Sequence, residues 1–179
     1  MNIEKGGGII HSINDKGELL PEEMDTINRL TELPIHSLNL EAIAAATNVY
    51  RVAQGLRNKM EQEVLSRYGL SWTAFSMLYD MWIWEAVETR KLATSAGVSK
   101  ATVSNITKTL ENKNLCYRKS DATDKRLTYV VLTEKGREIM EVLYPLFHKG
   151  EVEVFSELTV DEQKILSNLL RIVIRSNHF

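Results

Sequence analysis

The stretch from Leu92 to Arg126, LATSAGVSKATVSNITKTLENKNLCYRKSDATDKR, limits what this chain can fold into more than any other. Two short helical patterns meet at Gly97. Leu92, Ala93 and Ala96 give the first an apolar face, and Gly97 supplies the residue type that takes a left-handed turn without steric cost. Val98 follows as a buried plug, and Ser99 is a good N-cap for the second helix. In that helix Val103, Ile106 and Leu110 recur at helical spacing. Between them Lys100, Thr102, Ser104, Asn105, Lys108 and Thr109 are polar or basic. This is the packing pattern of a helix-turn-helix. The apolar positions lock the second helix on the first, and the polar positions face outward, where a DNA groove would lie.

The segment that follows sharpens this reading. Residues 115–119 and 127–132 are rich in β-branched, aromatic and aliphatic side chains, and residues 120–126 between them are polar and turn-prone. A two-stranded hairpin with a charged tip, set directly after the second helix, makes a winged helix. The predicted fold is mainly α with a small β-hairpin wing.

The run from Glu111 to Gly136, with its D-x-x-D-K-R tip and L-T-E-K-G end, resembles the MarR family of bacterial transcription regulators. The likeness extends from about Leu40 to the C-terminus. It is most specific at Gly97-Val98-Ser99, at Asp121, Asp124 and Arg126, and at Leu132 to Gly136. The resemblance implies a homodimer on double-stranded DNA, with the second helix in the major groove and the wing at the minor groove. The family's wing arginine falls on Arg126 and its wing aspartate on Asp124. Many relatives release DNA on binding small, often aromatic or phenolic, molecules between the dimer helices and the DNA lobe. On that analogy Tyr50, Trp72, Phe75, Tyr79 and Trp82 would line an effector pocket, against the plainer reading of core packing. Some relatives sense oxidants with a cysteine near the start of the long first helix; this chain has none there. The first 38 residues depart from the family's short lead-in.

Net charge is −2, which at first sight argues against nucleic acid. Its distribution answers this. From Ser99 to Arg126 seven Lys/Arg stand against three acids (Glu111, Asp121, Asp124), a local excess of four positive charges on an acidic remainder. The DNA-binding candidates are Ser99, Lys100, Thr102, Ser104, Asn105, Lys108 and Thr109 on the helix, and Arg118, Lys119, Asp124, Lys125 and Arg126 on the wing. Asn105 or Thr102 is expected at base edges, with Lys100 and Lys108 on phosphate. Asp124 is expected to orient Arg118 or Arg126 through a charge-assisted pair.

The remaining chain reads as helices. Residues 1–17 hold Gly6-Gly7-Gly8 without the Gly-Lys-Ser/Thr of a phosphate loop, and form a lead-in. Pro21-Glu22-Glu23 opens a short helix striped by Met24, Ile27 and Leu30, which Pro34 ends. Asn39 to Tyr68 is a long amphipathic helix closed by Gly69. Ser71 caps a helix apolar on more than one face, through Phe75, Leu78, Met81, Trp82 and Trp84. Thr133 caps another, in which Pro145 should cause a kink or break. Thr159 to Glu162 is a capping box for the last, with Ile165, Leu166, Leu169, Leu170, Ile172 and Val173. The expected organisation is an N-terminal extension (1–38), dimerisation helices (39–70 and 134–179) and a winged helix-turn-helix lobe (71–133).

Other chemistry finds little support. No apolar run is long enough to span a membrane, and the N-terminus lacks the basic-then-apolar order expected of a signal peptide. One cysteine excludes an internal disulfide and suggests a cytoplasmic protein. Cys116 reads as a small buried hydrophobe. His11, His36, His148 and His178 lack metal-ligand spacing, so neither metal nor cofactor is expected. There is no nucleophile motif, so an enzyme is not expected. The alternative to a DNA-binding transcription regulator is a winged-helix protein–protein adaptor. It would need an apolar outward face on the second helix, where this chain has Ser, Thr, Asn and Lys.

Overall fold

The computed structural model describes residues 21–178 apart from His36 and Lys125, with backbone alone for residues 21–23. The glycine-rich lead-in and His11 lie outside the described residues. By internal contacts the chain divides into Met1–Val52 and Ala53–Phe179.

In the first unit, α1 (Pro21–Glu32) is the short helix expected after Pro21. Asn39 caps the start of α2 (Leu40–Glu63): its Oδ1 accepts the Ala42 N–H at 3.0 Å. The long α2 opens in this unit and closes in the next.

The second unit begins with the end of α2. One continuous helix to Tyr68 was expected; instead α2 stops at Glu63 and a 3₁₀ turn, Leu65–Tyr68, follows. Gly69 then takes φ +59°, with its N–H on the Ser66 carbonyl and the Leu70 N–H on that of Leu65. This paired bonding closes a helix through a left-handed residue and satisfies its last carbonyls. The tighter turn buries Leu65 while re-aiming the chain into α3 (Trp72–Trp84), capped by Ser71, whose Oγ accepts the Ala74 N–H at 3.2 Å.

On α3, Ala74, Phe75, Met77, Leu78 and Met81 are buried, as a helix apolar on several faces requires. Trp84 is exposed at the helix end and belongs to no core. A strand absent from the sequence reading follows: β1 (Ala86–Glu88) pairs antiparallel with β3 (Thr128–Leu132), Val87 opposite Val130. Three residues are too few to display a period of two. The wing is therefore part of a three-stranded sheet of order β1-β3-β2, with β2 (Cys116–Ser120) and β3 (Thr128–Leu132) as the hairpin.

The helix-turn-helix consists of α4 (Thr89–Ser95) and α5 (Lys100–Asn112). After β3 come α6 (Glu134–Val154) and α7 (Val160–Asn177). Pro145 does not break α6. The expected capping box is present: Glu162 N–H bonds Thr159 Oγ1 at 3.3 Å, and Thr159 N–H bonds Glu162 Oε2 at 2.8 Å. Met60, Leu78, Met81, Leu92, Val103, Leu110, Val130, Met140 and Leu143 share one core, which ties the helix-turn-helix, sheet and α6 together. Among the described residues no helix is long and apolar enough to cross a membrane.

Candidate nucleic-acid interface

The turn between α4 and α5 is built by backbone bonds that only a left-handed residue permits. Gly97 sits at φ +62°, its N–H bonded to the Thr94 carbonyl, and the Val98 N–H reaches that of Ala93 at 3.0 Å. Ser99 then caps α5: its Oγ accepts the Thr102 N–H at 3.1 Å. Leu92, Ala93, Val103 and Leu110 are buried in the seam.

This packing fixes what α5 presents outward. Ser99, Lys100, Ser104, Asn105, Lys108 and Thr109 are exposed. Thr102 is only half-buried and its hydroxyl lies 2.9 Å from Ser99 Oγ. Thr109 donates its hydroxyl to the Asn105 carbonyl at 3.1 Å. Asn105 keeps its amide free of such bonds among the described residues, and of the two expected base readers it is the better disposed. Thr107, on the inner face, is fully buried and bonds the Val103 carbonyl.

At the far end of α5, Asn114 takes φ +58° and turns the chain into β2. The L-T-E-K-G run closes the return. Thr133 Oγ1 donates to the Asn114 carbonyl at 2.7 Å and accepts the Gly136 N–H at 3.0 Å. Lys135 Nζ caps the Lys113 carbonyl at 3.0 Å, as a cation at a helix C-terminus should. Gly136 lets the Leu115 carbonyl approach so closely that a Cβ there would overlap it. These contacts set the angle between α5, the wing and α6.

The wing holds itself against α5 through Arg118. Its Nη2 donates to the Ser104 carbonyl at 2.9 Å, and its Nη1 lies 3.1 Å from Glu111 Oε2. The expected arginine-orienting carboxylate is thus Glu111, on the recognition helix, rather than Asp124. Asp124 acts on the backbone: its Oδ1 accepts the Arg126 N–H at 3.0 Å. Asp121 Oδ1 receives the Thr123 hydroxyl at 2.6 Å and the N–H groups of Thr123 and Asp124 at 2.8 and 3.0 Å. Those bonds, the Thr123 hydroxyl first, hold the Asp121 carboxyl down at about 2. Both aspartates therefore shape the tip, as short acceptors do in turns. Lys119 and Arg126 are exposed, and Lys125 lies outside the described residues.

Lys113 leaves the basic surface, because its Nζ caps the Tyr68 and Gly69 carbonyls at 3.2 and 2.8 Å. Cys116 is 3% exposed, with Sγ 3.9 Å from the Thr107 carbonyl. Burial first, then the charge of Glu111, pushes its thiol up to about 12. It is the small buried hydrophobe the sequence suggested.

A concavity lies between α3 and α6, with a volume of about 420 Å³. Trp72, Phe75 and Tyr79 line it as expected. Trp82 does not line it, but its ring packs 5.4 Å from that of Tyr144, which does. Tyr50 lies in the first unit, where it is 66% exposed. Sequence reasoning missed Asp80, Tyr144, Phe147 and Glu151. A helix apolar on several faces hides which face borders a void.

Comparison with known proteins gives consistent results. The model of the MarR family matches residues 70–128. YwaE of Bacillus subtilis, described as an uncharacterized HTH-type transcriptional regulator, is 56% identical over 161 residues, 90% of this chain and 94% of that protein. Among solved structures, a MarR mutant from E. coli complexed with operator DNA aligns with a TM-score of 0.68 at 24% identity, covering 77% of this chain and 99% of that one. Sco3205 from Streptomyces coelicolor, a MarR family regulator in complex with DNA, aligns with a TM-score of 0.71 at 21% identity, covering 81% and 92%.

Proposed function

We propose that this chain, which belongs to the MarR family and is a DNA-binding transcription regulator, reads a two-fold operator as a homodimer. The outward face of α5 carries the reading. Ser104, Asn105, Lys108 and Thr109 are exposed there, while every large apolar side chain of the helix turns inward. An adaptor surface would present apolar residues instead. Asn105 suits bidentate bonding to an adenine edge in the major groove. Lys100, Lys108 and Lys119 fit phosphate contacts, and the N-cap Ser99 with Thr102 in the first turn approaches the DNA backbone at the α5 N-terminus. Arg126 at the wing tip enters the minor groove, where a narrow A·T-rich stretch concentrates negative potential. Arg118 positions the wing rather than reading bases.

Dimerisation is supported by α7, which buries none of its residues while Leu169 and Ile172 remain 57% and 59% exposed. A contiguous apolar stripe of this kind on a helix needs a partner surface. A second copy supplies it, with residues 39–70 and 134–179 as the dimerisation helices and 71–133 as the DNA lobe. A two-fold protein then matches a two-fold site. The regulator works in the cytoplasm, where it represses until a small-molecule effector enters the α3–α6 cavity.

The test is binding-site selection from random duplexes with the purified chain and with Asn105→Ala. The expected outcome is an inverted-repeat consensus whose preference relaxes at one position per half-site, at a cost of roughly 1–3 kcal/mol per lost base contact. An unchanged consensus and affinity would overturn the assignment of Asn105. Failure to enrich any duplex would overturn the sequence-specific reading.

A further inference from the structure

The α3–α6 cavity has an electrostatic character that the rest of the site does not. Five aromatic rings face it: Trp72, Phe75, Tyr79, Tyr144 and Phe147. Phe75 stacks on Phe147 at 4.1 Å between ring centres, and Tyr79 packs 5.4 Å from Tyr144. The ionisable carboxyls of its lining are Asp80 and Glu151, with no Lys or Arg among the described lining residues. Glu151 is shared with the exposed His148 at 3.1 Å. Asp80 is different. Its Oδ2 is closed off from solvent yet accepts no hydrogen bond among the described residues. Lys91 lines an adjoining groove that Asp80 also borders.

A carboxylate oxygen withdrawn from water without a partner costs free energy, and a ligand that supplies the missing donor recovers it. Aromatic faces attract cations through their quadrupoles and repel anions. Both features select the same ligand charge. We propose that this cavity binds an organic ammonium ion with an aromatic body, its N–H groups on Asp80 and its ring among Trp72, Phe75 and Tyr144. An aromatic carboxylate is disfavoured there, because the lining carboxyls of Asp80 and Glu151 repel it. The volume of about 420 Å³ suits a drug-sized molecule. The inference rests on the effector reading above and names its ligand class. Ser95, the last residue of α4, also lines the cavity. A ligand seated there therefore touches the helix-turn-helix directly.

The experiment uses the full-length chain without DNA. Phenethylammonium, 2-phenylethanol and phenylacetate share a phenyl body and differ in charge; each is titrated in turn, read by tryptophan fluorescence and by calorimetry. The expected result is that phenethylammonium binds about tenfold tighter than 2-phenylethanol, with phenylacetate weakest. Asp80→Asn keeps the shape and removes the charge, and should bring the ratio of the first two close to one. Equal or tighter binding of the neutral or anionic probe, no binding of any probe, or an undiminished preference in Asp80→Asn would each overturn the proposal. The ranking on the parent chain stands even where the variant fails to fold. Operator binding is measured separately. A chain that binds its operator but shows no cation preference loses this inference and keeps the regulator reading; the converse result does the reverse.

Discussion

Glu111→Ala distinguishes a wing that works by shape from one that works by charge. Glu111, in the last turn of α5, holds Arg118 Nη1 at 3.1 Å, while Nη2 of the same guanidinium bonds the Ser104 carbonyl at 2.9 Å. The two side chains are 28% and 36% exposed, so the pair is neither buried nor fully screened. Pairs of this kind contribute roughly 0.2–1 kcal/mol to stability. The stability effect is therefore small, and the DNA effect is the larger signal. A released Arg118 frees β2 from α5, so each wing must be ordered again on binding. Taking the upper half of that range for each wing, a dimer loses about 1–2 kcal/mol, or about five- to thirtyfold in Kd. Bulk electrostatics predicts the opposite sign, because removing an acid beside DNA raises affinity. The assay is fluorescence anisotropy on the selected operator, run as a cycle with Arg118→Ala and the double variant. The expected pattern is that Glu111→Ala weakens binding in the parent and has no effect, or strengthens binding, once Arg118 is alanine. If Glu111→Ala tightens binding equally in both backgrounds, the clasp does not position the wing and the reasoning fails.

Three further outcomes follow from the same geometry. Gly136→Ala places a Cβ against the Leu115 carbonyl, with its carbonyl carbon at 3.0 Å, and should cost about 1–3 kcal/mol, read as a lower melting temperature; an unchanged Tm would show that the α5–wing junction yields freely. Asp121 has a folded value of about 2, below its ordinary 3.8, so the tip's turn should be fully held above about 3.8 and lost only as pH falls through about 2; a midpoint for the Thr123 amide near the ordinary value, in an NMR titration, would refute this. Leu169→Asp on α7 should convert a dimer at micromolar concentration into a monomer by light scattering and lower operator affinity with it, whereas a parent mass equal to one chain would reject the dimer.

The parts of this fold that were legible in the sequence are those fixed by single residues with one physical job. Gly97 had to be left-handed, Ser71, Ser99, Thr133 and Thr159 had to cap, and each does. The L-T-E-K-G run was readable only as a pattern; the structure supplies its cause, with Thr133 bonding twice, Lys135 capping α5 and Gly136 making room for a carbonyl. Elements that depend on tertiary partners were hidden. The strand Ala86–Glu88 exists because β3 offers it an edge, and α2 ends early because Leu65 is drawn into the core. Neither cause leaves a periodic trace.

The site shows the same division at finer grain. Which residues of α5 face outward follows from helical spacing and needed no coordinates. Which carboxylate serves which arginine did not, since Asp121, Asp124 and Glu111 all lie within seven residues of Arg118 or Arg126 along the chain. The two aspartates are spent on backbone N–H groups, as short side chains in turns usually are, and only the longer glutamate on a neighbouring element spans the distance to the Arg118 guanidinium. Asp80 was invisible for a further reason. One acidic residue within an apolar helix has no partner in sequence to mark it, and its significance comes from the rings that α6 brings to the other side of the cavity. A binding site assembled across two helices is legible only when both are placed, whereas a recognition helix carries its reading on one face of a single element.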